Sequence, residues 1–532
     1  MNLVEELQTR LQDPSLTKAE QALLRCELAR THLLRGENDA AREVLGGFWR
    51  GAGVRPDTAG LDRVAGAALL FCAGALTGRL GGGSQATVAQ EASKDLLGES
   101  LRELEALGVS DFAAAAEIEL GYCYWREGAY DEARAVLSSA LAKLPDDSVD
   151  YRCLALLRLA VTESSSTRVR EALRILTGAA RLFERCGVPF LRGCFHLELG
   201  TALQFLGESE RAAESTDRAL IEYAAAAVLF EEVGNQRYLA MTENNLGYLF
   251  SNLGRTGEAH AHLDRARSLF RAIGADLHIA QVDETRARTF LREGRNSEAA
   301  KASADAVAVL ERGDARALLA EALVTRGAAL ARLGRPAEAH DAFGRAISVG
   351  ESAGDLEGAG VAALTVLEEL GDDMPFDAFF GLYERADALL ARSERPEIGR
   401  RLRACAMRAL RSANTQLAAR KSDEVATSTK SPARPAPNSE VDARPHSWEG
   451  FDLERAVRSY EAGLIRQALD ECGGEVTAAA KLLNILHQTL IWKIKNQMPE
   501  LQGARKPVRP RRRGIIPKEV HEREKVRMKK HQ

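Results

Sequence analysis

The sequence predicts an all-α chain: a right-handed α-solenoid of stacked helical hairpins, then a flexible linker, then a small helical domain. Three observations carry this. Aromatic residues make up only 5% of the 532 residues while hydrophobic residues make up 45%. That balance favours alanine- and leucine-rich helices over β-sheets, which lean on aromatic and β-branched side chains. A pattern of small residue, aromatic or leucine, glycine and alanine returns about every forty residues through the first four hundred. Near residue 414 the composition shifts to Ser, Thr, Ala and Pro. The chain is also longer than one hydrophobic core usually serves, so a repeat array or several domains is expected.

The clearest repeat is residues 114–147, AAAEIELGYCYWREGAYDEARAVLSSALAKLPDD. Gly121 and Ala133 are small where two antiparallel helices approach closely. Tyr124 and Leu137 fill the space between neighbouring hairpins. Gly128 permits the turn between helices, and Pro145 cannot continue the second helix. With Tyr130 after the turn and Ala140 further on, this unit resembles the tetratricopeptide repeat. The signature returns as Gly200, Leu203 and Gly207, then as Gly247, Phe250, Gly254, Ala259, Leu263 and Ala266. It returns again as Ala287, Phe290, Gly294, Ala299 and Ala306, and as Gly327, Leu330, Gly334, Ala339, Phe343 and Ala346. The steps from 247 to 287 to 327 are both 40 residues. Degenerate copies are read around Leu159 and Ala160 and near Leu28, Ala29 and Gly36. The longer step from 200 to 247 is read as an extended second helix, Ser209 to Val233. The family's usual period is ~34 residues, so forty implies longer helices. Residues 1–413 then hold roughly eight or nine hairpins, with Phe376 to Asn414 read as a cap.

The resemblance implies a concave surface lined by the first helix of each hairpin, with a protein or peptide as its partner. The groove positions it implies are Tyr122, Trp125 and Arg126, then Thr201, Gln204 and Phe205, then Asn244, Tyr248 and Asn252, then Arg288 and Arg292. Repeats of this kind often hold a peptide backbone with asparagine amides, which singles out Asn244 beside Asn245. The plain alternative is that these are ordinary solvated or helix-packing residues.

The longest apolar run, Val64 to Gly78, falls short of the ~18 residues of a membrane span and reads as a buried repeat helix. The start, Met-Asn-Leu-Val-Glu-Glu-Leu-Gln, lacks a basic region followed by an apolar core, so no leader and no membrane partner are expected. Eight cysteines form no CxxC pair and sit among apolar positions, where thiols act as small hydrophobes. A reducing cytoplasm is the expected location.

Residues 414–447 contain Pro432, Pro435, Pro437 and Pro445 without an apolar period, which reads as a flexible linker. Residues 448–501 read as folded. Leu464, Ile465, Ala468, Leu469 and Cys472 share one helical face, and Gly473-Gly474 ends that helix. A short helix follows from Val476 to Leu483, then the turn Leu483-Asn484-Ile485, then a helix from Gln488 to Gln497. The stretch LIRQALDECGGEVTAAAKLLNILHQTLIWKIK resembles the Fis-type helix-turn-helix of bacterial regulators. It matches in Gly473-Gly474, Thr477, Ala479, Ala480, Leu482, Leu483 and Ile485. The recognition helix matches in Thr489, Leu490, Lys493, Ile494 and Lys495. It departs with Asn484 for the turn glycine, Leu486 for the polar helix cap, His487 for an arginine and Trp492 for a basic residue.

The resemblance implies duplex DNA as a partner, bound as a homodimer at two half-sites. The contacts implied are His487, Gln488, Thr489, Trp492, Lys493 and Lys495, with glutamine suited to adenine. Trp492 reads equally as a core or dimer-interface residue. Residues 501–532 carry a net charge of +9 against −13 for the remainder. In the tail, 502–532, Arg505, Lys506, Arg509, Arg511, Arg512 and Arg513 cluster among Pro507, Pro510 and Pro517. Such an arm tracks phosphates or enters the minor groove; a solvated tail with nonspecific polyanion affinity is the alternative.

No GxxxxGK[ST], GxSxG or HExxH motif occurs. His260 and His262, at i and i+2, point to different sides of a helix. No enzyme, cofactor or metal is therefore expected. The sequence reads as a cytoplasmic bacterial DNA-binding transcriptional regulator with a protein- or peptide-binding solenoid. The alternative is an adaptor or scaffold whose C-terminal unit serves assembly.

Overall fold

The structure is a computed structural model, and it describes residues 3–81, 86–210, 213–393, 395–427, 453–483, 485–496, 498, 501 and 503. These residues fall into two compact units, 1–423 and 424–532. No strand occurs among the described residues.

Helix α1 (Leu3–Arg10) precedes nine helical hairpins. The first three pair α2 (Lys18–Leu34) with α3 (Asn38–Leu45), α4 (Arg63–Leu80) with α5 (Ala86–Ala106), and α6 (Ser110–Arg126) with α7 (Tyr130–Lys143). The next three pair α8 (Val149–Ser165) with α9 (Val169–Glu184), α10 (Pro189–Glu210) with α11 (Ala213–Glu232), and α12 (Gln236–Asn252) with α13 (Thr256–Ala272). The last three pair α14 (Asp276–Arg292) with α15 (Asn296–Leu310), α16 (Arg316–Arg332) with α17 (Pro336–Ser352), and α18 (Leu356–Leu370) with α19 (Phe376–Leu390). Helix α20 (Pro396–Thr427) follows. Each hairpin packs on itself and on the next, the signature of a tetratricopeptide-like α-solenoid.

First and second helices differ in how they bury. Helix α4 is buried continuously from Ala65 to Gly78, so the apolar run is a repeat helix sandwiched between neighbours. It is also the one described helix long and apolar enough to cross a membrane. Second helices bury a single stripe, as Val169, Ala172, Ile175, Leu176, Ala179 and Phe183 do in α9. Complete burial of a leucine or phenylalanine on such a stripe contributes about 1.5–3 kcal/mol.

The glycines act in two ways. A Cβ at Gly121 would lie 2.6 Å from Cγ of Leu137, so only glycine lets α6 and α7 come this close. Gly128 turns the chain at φ 79°. There Ala129 N–H donates to the Tyr124 carbonyl at 2.9 Å, closing the end of α6. In the degenerate fourth hairpin Thr167 takes the corresponding place at φ 65°, and Arg168 N–H donates to the Glu163 carbonyl at 2.9 Å.

Three boundaries differ from the sequence reading. Gly207 is not a turn residue: α10 continues to Glu210, and α11 begins at Ala213 rather than Ser209. The extra turn is held by Glu208, whose carboxylate accepts from the Gln204 amide at 3.1 Å and the Asn252 amide at 2.7 Å. Within the segment read as a cap, Phe376–Leu390 pairs with α18 as the second helix of the ninth hairpin, where Leu390 packs against Gly360. The segment from 414, read as linker, is helical as far as Thr427; residues 428–452 lie outside the described ones.

In the second unit α21 (Leu453–Glu471), α22 (Val476–Leu482) and α23 (His487–Asn496) surround one small core. It contains Ile465, Leu469, Ala479, Ala480, Leu490 and Ile494. Gly473 and Gly474 turn the chain at φ 58° and 81°, and Gly474 N–H donates to the Leu469 carbonyl at 2.7 Å. Asn484 lies outside the described residues; beside it, Ile485 N–H donates to the Ala480 carbonyl at 3.0 Å.

Candidate ligand cleft and nucleic-acid interface

The first six hairpins together line a cleft of about 570 Å³. The turn after α2 meets α10, which closes one side. Tyr122, Trp125, Leu157 and Tyr238 supply much of its wall. Trp125 is fixed by its indole N–H, which donates to Oγ of Ser165 at 2.8 Å.

A ladder of charge runs along the cleft. Arg79, Glu119, Arg158 and Glu198 recur at intervals of 40, 39 and 40 residues, one on each of α4, α6, α8 and α10. Arg79 donates to Glu119 through Nη2 at 2.6 Å and Nε at 3.2 Å. From the other side Arg158 donates to the same carboxylate at 2.7 Å. Arg79 also donates to the Leu33 carbonyl at 2.8 Å, and Arg158 to the Ile118 carbonyl at 2.9 Å. The Arg158 guanidinium lies 4.7 Å from the Tyr122 ring centroid, within cation–π range.

Two guanidiniums therefore share one carboxylate. The Arg79, Glu119 and Arg158 side chains are 11%, 4% and 11% exposed, so the shared charge is held away from bulk water. Burial alone would raise the Glu119 pKa, but Arg158 and Arg79 overcome it and hold the carboxyl below its ordinary value. Burial pushes Arg158 below its ordinary value, and the like charge of Arg79 adds to the shift. Arg79 moves the other way: against the cost of burial, Glu119 holds its pKa up. Glu198 has no ion-pair partner among the described residues, and burial alone pushes its pKa up to about 7.

Of the groove residues read from the sequence, the structure places Tyr122, Trp125 and Thr201 on this cleft. Arg126 is exposed and donates to the Tyr122 hydroxyl at 3.2 Å. The remainder lie farther along the array, with much of their polarity engaged internally. Gln204 accepts from the Tyr223 hydroxyl at 2.8 Å, and Asn252 donates to Glu208. Arg288 pairs with Glu284 and, at 2.8 Å, with Glu321. Arg292 donates to Oγ of Ser251 at 3.0 Å and lies 6.0 Å from the Tyr248 ring centroid. Asn244 is buried, and its Oδ1 has no partner among the described residues. Phe205 stacks 5.6 Å beneath the Arg395 guanidinium, and Thr201 accepts from the Tyr223 hydroxyl at 3.2 Å.

Sequence reasoning missed Arg79, Glu119, Arg158 and Glu198. Their signal was available: ionisable residues inside alanine- and leucine-rich helices, spaced by the repeat period. His260 and His262 each pair with a separate carboxylate. His260 meets Glu293 at 3.2 Å and His262 meets Glu243 at 2.6 Å, on different sides of α13.

In the second unit, Leu490 and Ile494 anchor α23 in the core and turn its other face outward. His487, Gln488, Thr489, Trp492 and Lys495 are exposed. Gln488, Trp492 and Lys495 fall at i, i+4 and i+7, one stripe of the helix. Trp492 is 53% exposed, so it is not a core residue of this unit. Lys493 is partly buried and pairs with Glu461 of α21 at 2.6 Å, which leaves less of its charge for a ligand. The helix starts on the Leu486 carbonyl, which accepts from Leu490 N–H at 3.0 Å; a leucine there adds no side-chain cap. Arg505, Lys506, Arg509, Arg511, Arg512 and Arg513 lie outside the described residues.

Residues 456–496 match the family model described as bacterial regulatory protein, Fis family. They contain the α21 core face, the Gly473-Gly474 break and α23. The chain is thus a tetratricopeptide-like solenoid followed by a Fis-type helix-turn-helix. No protein of curated function matches it. Among solved structures it is similar to a Rap protein complexed with competence and sporulation factor. That likeness has 13% identity and a TM-score of 0.48, over 66% of this chain and 99% of that one. It is also similar to the apo form of the quorum sensor NprR from B. thuringiensis, with 13% identity and a TM-score of 0.45, over 65% and 91%. A third is the STAND protein with a tetratricopeptide repeat sensor from Pyrococcus horikoshii, with 12% identity and a TM-score of 0.39, over 76% and 55%.

Proposed function

We propose that this chain is a cytoplasmic bacterial transcriptional regulator that binds duplex DNA as a homodimer and receives a partner on the concave face of its solenoid. The observation that carries the reading is the match of residues 456–496 to the Fis family, on a unit whose α23 turns Gln488, Trp492 and Lys495 outward. Gln488 is the residue of that stripe suited to reading a base edge, bidentate to adenine. The basic tail adds phosphate affinity without sequence information. A protein or peptide on the solenoid would then be brought to a DNA site through the tether between the two units.

The test is selection of the full chain against a random pool of duplex DNA across a salt series. The reading expects an enriched motif with two half-sites one helical turn apart, or a multiple of it. Binding with a steep salt slope and no motif assigns the affinity to the tail. The second reading, an adaptor whose C-terminal unit serves assembly, draws on the exposure of Leu486, Trp492 and Leu482 and on the pairing of Lys493 with Glu461. It expects self-association that survives loss of the Trp492 ring no better than DNA binding would under the first reading. Trp492→Ala read by both sedimentation and DNA selection separates the two.

A further inference from the structure

We propose that the cleft on the first six hairpins is a binding site for a small apolar monocarboxylate, with Arg158 receiving its carboxylate. The proposal deepens the reading of the concave face as a receiving surface and is independent of DNA binding. Three features of the site support it.

The first is charge. Two buried guanidiniums on one carboxylate leave a single surplus positive charge. Such a charge is costly to hold out of water, and an arriving anion removes the cost. Arg158 makes hydrogen bonds only through Nη1 to Ile118 and Nη2 to Glu119 among the described residues. A guanidinium has five N–H donors, so donors remain for a carboxylate. Arg79 is more committed, with Glu119, Leu33 and Asn38 all accepting from it.

The second is the wall. About 570 Å³ falls within the roughly 300–1,000 Å³ of small-molecule sites. Leu154, Leu157, Val161, Leu191 and Met241 make most of it apolar. An extended peptide brings a row of N–H and C=O groups that each need a partner when buried. This wall offers few: of its asparagine, serine and threonine side chains, Asn38 already accepts from Arg79, Ser165 from Trp125 and Thr201 from Tyr223, which leaves Ser164, and the backbone of α8 and α10 is spent within the helices. An apolar body with one ionised end fits what is present.

The third is Glu198 on the same cleft. With its pKa pushed up to about 7 by burial, half or more of it carries a proton at neutral pH and below. In that form it presents an O–H donor to an acid rather than a second negative charge.

The experiment titrates the full chain, without DNA, with decanoate, 1-decanol and decyltrimethylammonium by calorimetry. Decanoate is expected to bind at least tenfold more tightly than 1-decanol, and the cation more weakly still. Arg158→Met should abolish the preference for decanoate over 1-decanol and leave 1-decanol affinity within threefold, since Arg79 and Glu119 remain a neutral pair. Arg158→Lys should retain most of the preference. Equal affinity for decanoate and 1-decanol overturns the proposal, as does the cation binding best. Tight binding of an unrelated acidic peptide, competing with decanoate, would reassign the site to a peptide. The three-probe comparison on the unaltered protein decides between these outcomes even if an Arg158 variant fails to fold. DNA selection on the same preparation reads the regulator proposal separately.

Discussion

Phe190 lays its ring edge against the backbone of Gly36, so that a Cβ at position 36 would sit 2.8 Å from both Cε1 and Cε2. Gly36 is the turn residue of the first hairpin and Phe190 opens the first helix of the fifth. The contact bridges the first and fifth hairpins and walls one side of the cleft.

Gly36→Ala is therefore expected to do two things. Its φ of 71° costs a non-glycine residue about 1–2 kcal/mol, and overpacking against Phe190 adds ~1–3 kcal/mol. Gly128→Ala is the control, because it shares the left-handed φ and meets open space. Urea unfolding should show Gly36→Ala to be the more destabilising of the two. Decanoate affinity should fall in Gly36→Ala alone; equal losses in both variants would mean that the Phe190 contact does not shape the cleft.

Glu198 predicts a pH dependence with a definite sign. Burial raises its folded pKa to about 7 from an ordinary 4.5. Between those values the unfolded chain binds fewer protons, so stability declines as pH rises through the window. The contribution is complete below about pH 4.5 and gone above about pH 7, and it amounts to at most about 3 kcal/mol. Cys194, Tyr223 and Tyr238 face this carboxyl; burial pushes all three upward, and they stay neutral over the range. His196 lies on another side of α10, against Glu222. Glu198→Gln should flatten the slope of urea midpoint against pH between 5 and 8. An unchanged slope would place the titration elsewhere.

Thr167 holds a β-branched side chain at φ 65°, where glycine stands in its sister repeats. The left-handed conformation costs such a residue about 1–2 kcal/mol, and glycine returns ~0.5–1 kcal/mol of that in unfolded-state entropy. Thr167→Gly is expected to stabilise the solenoid by about 1 kcal/mol in urea unfolding. A loss instead would mean that the hydroxyl bond to the Ser166 carbonyl, 2.7 Å, outweighs the backbone strain.

These contrasts also explain what could be read without coordinates. Gly121, Tyr124 and Gly128 are dictated by local geometry, so the hairpins and their period were legible. The turn after α10 was not. Gly207 resembles a turn glycine, but Glu208 bonds to Asn252, forty-four residues on, and keeps the helix going. The cleft was half legible. Tyr122 and Trp125 announce themselves as aromatics on a first helix, whereas Arg79, Glu119, Arg158 and Glu198 gain meaning only when four helices are stacked in register. In the second unit the core and the Gly473-Gly474 break were legible from apolar spacing. The engagement of Lys493 was not, because its partner Glu461 lies on another helix.

That engagement yields the last prediction. On α23, Lys495 is exposed while Lys493 is held by Glu461. If α23 reads DNA, Lys495→Ala should lower the slope of log affinity against log salt by about 1, the loss of one phosphate contact. Lys493→Ala should lower it by much less and should instead destabilise the unit by about 0.5 kcal/mol, since its partner is only partly shielded from water. Gln488→Ala should leave the salt slope alone and relax one position of the selected motif, at a cost of about 1–3 kcal/mol for the preferred base. Filter binding of the full chain at several salt concentrations measures all three. A Lys493 variant with the larger slope change would show that the Glu461 pair opens on DNA, and a Gln488 variant with an intact motif would move base reading off this helix.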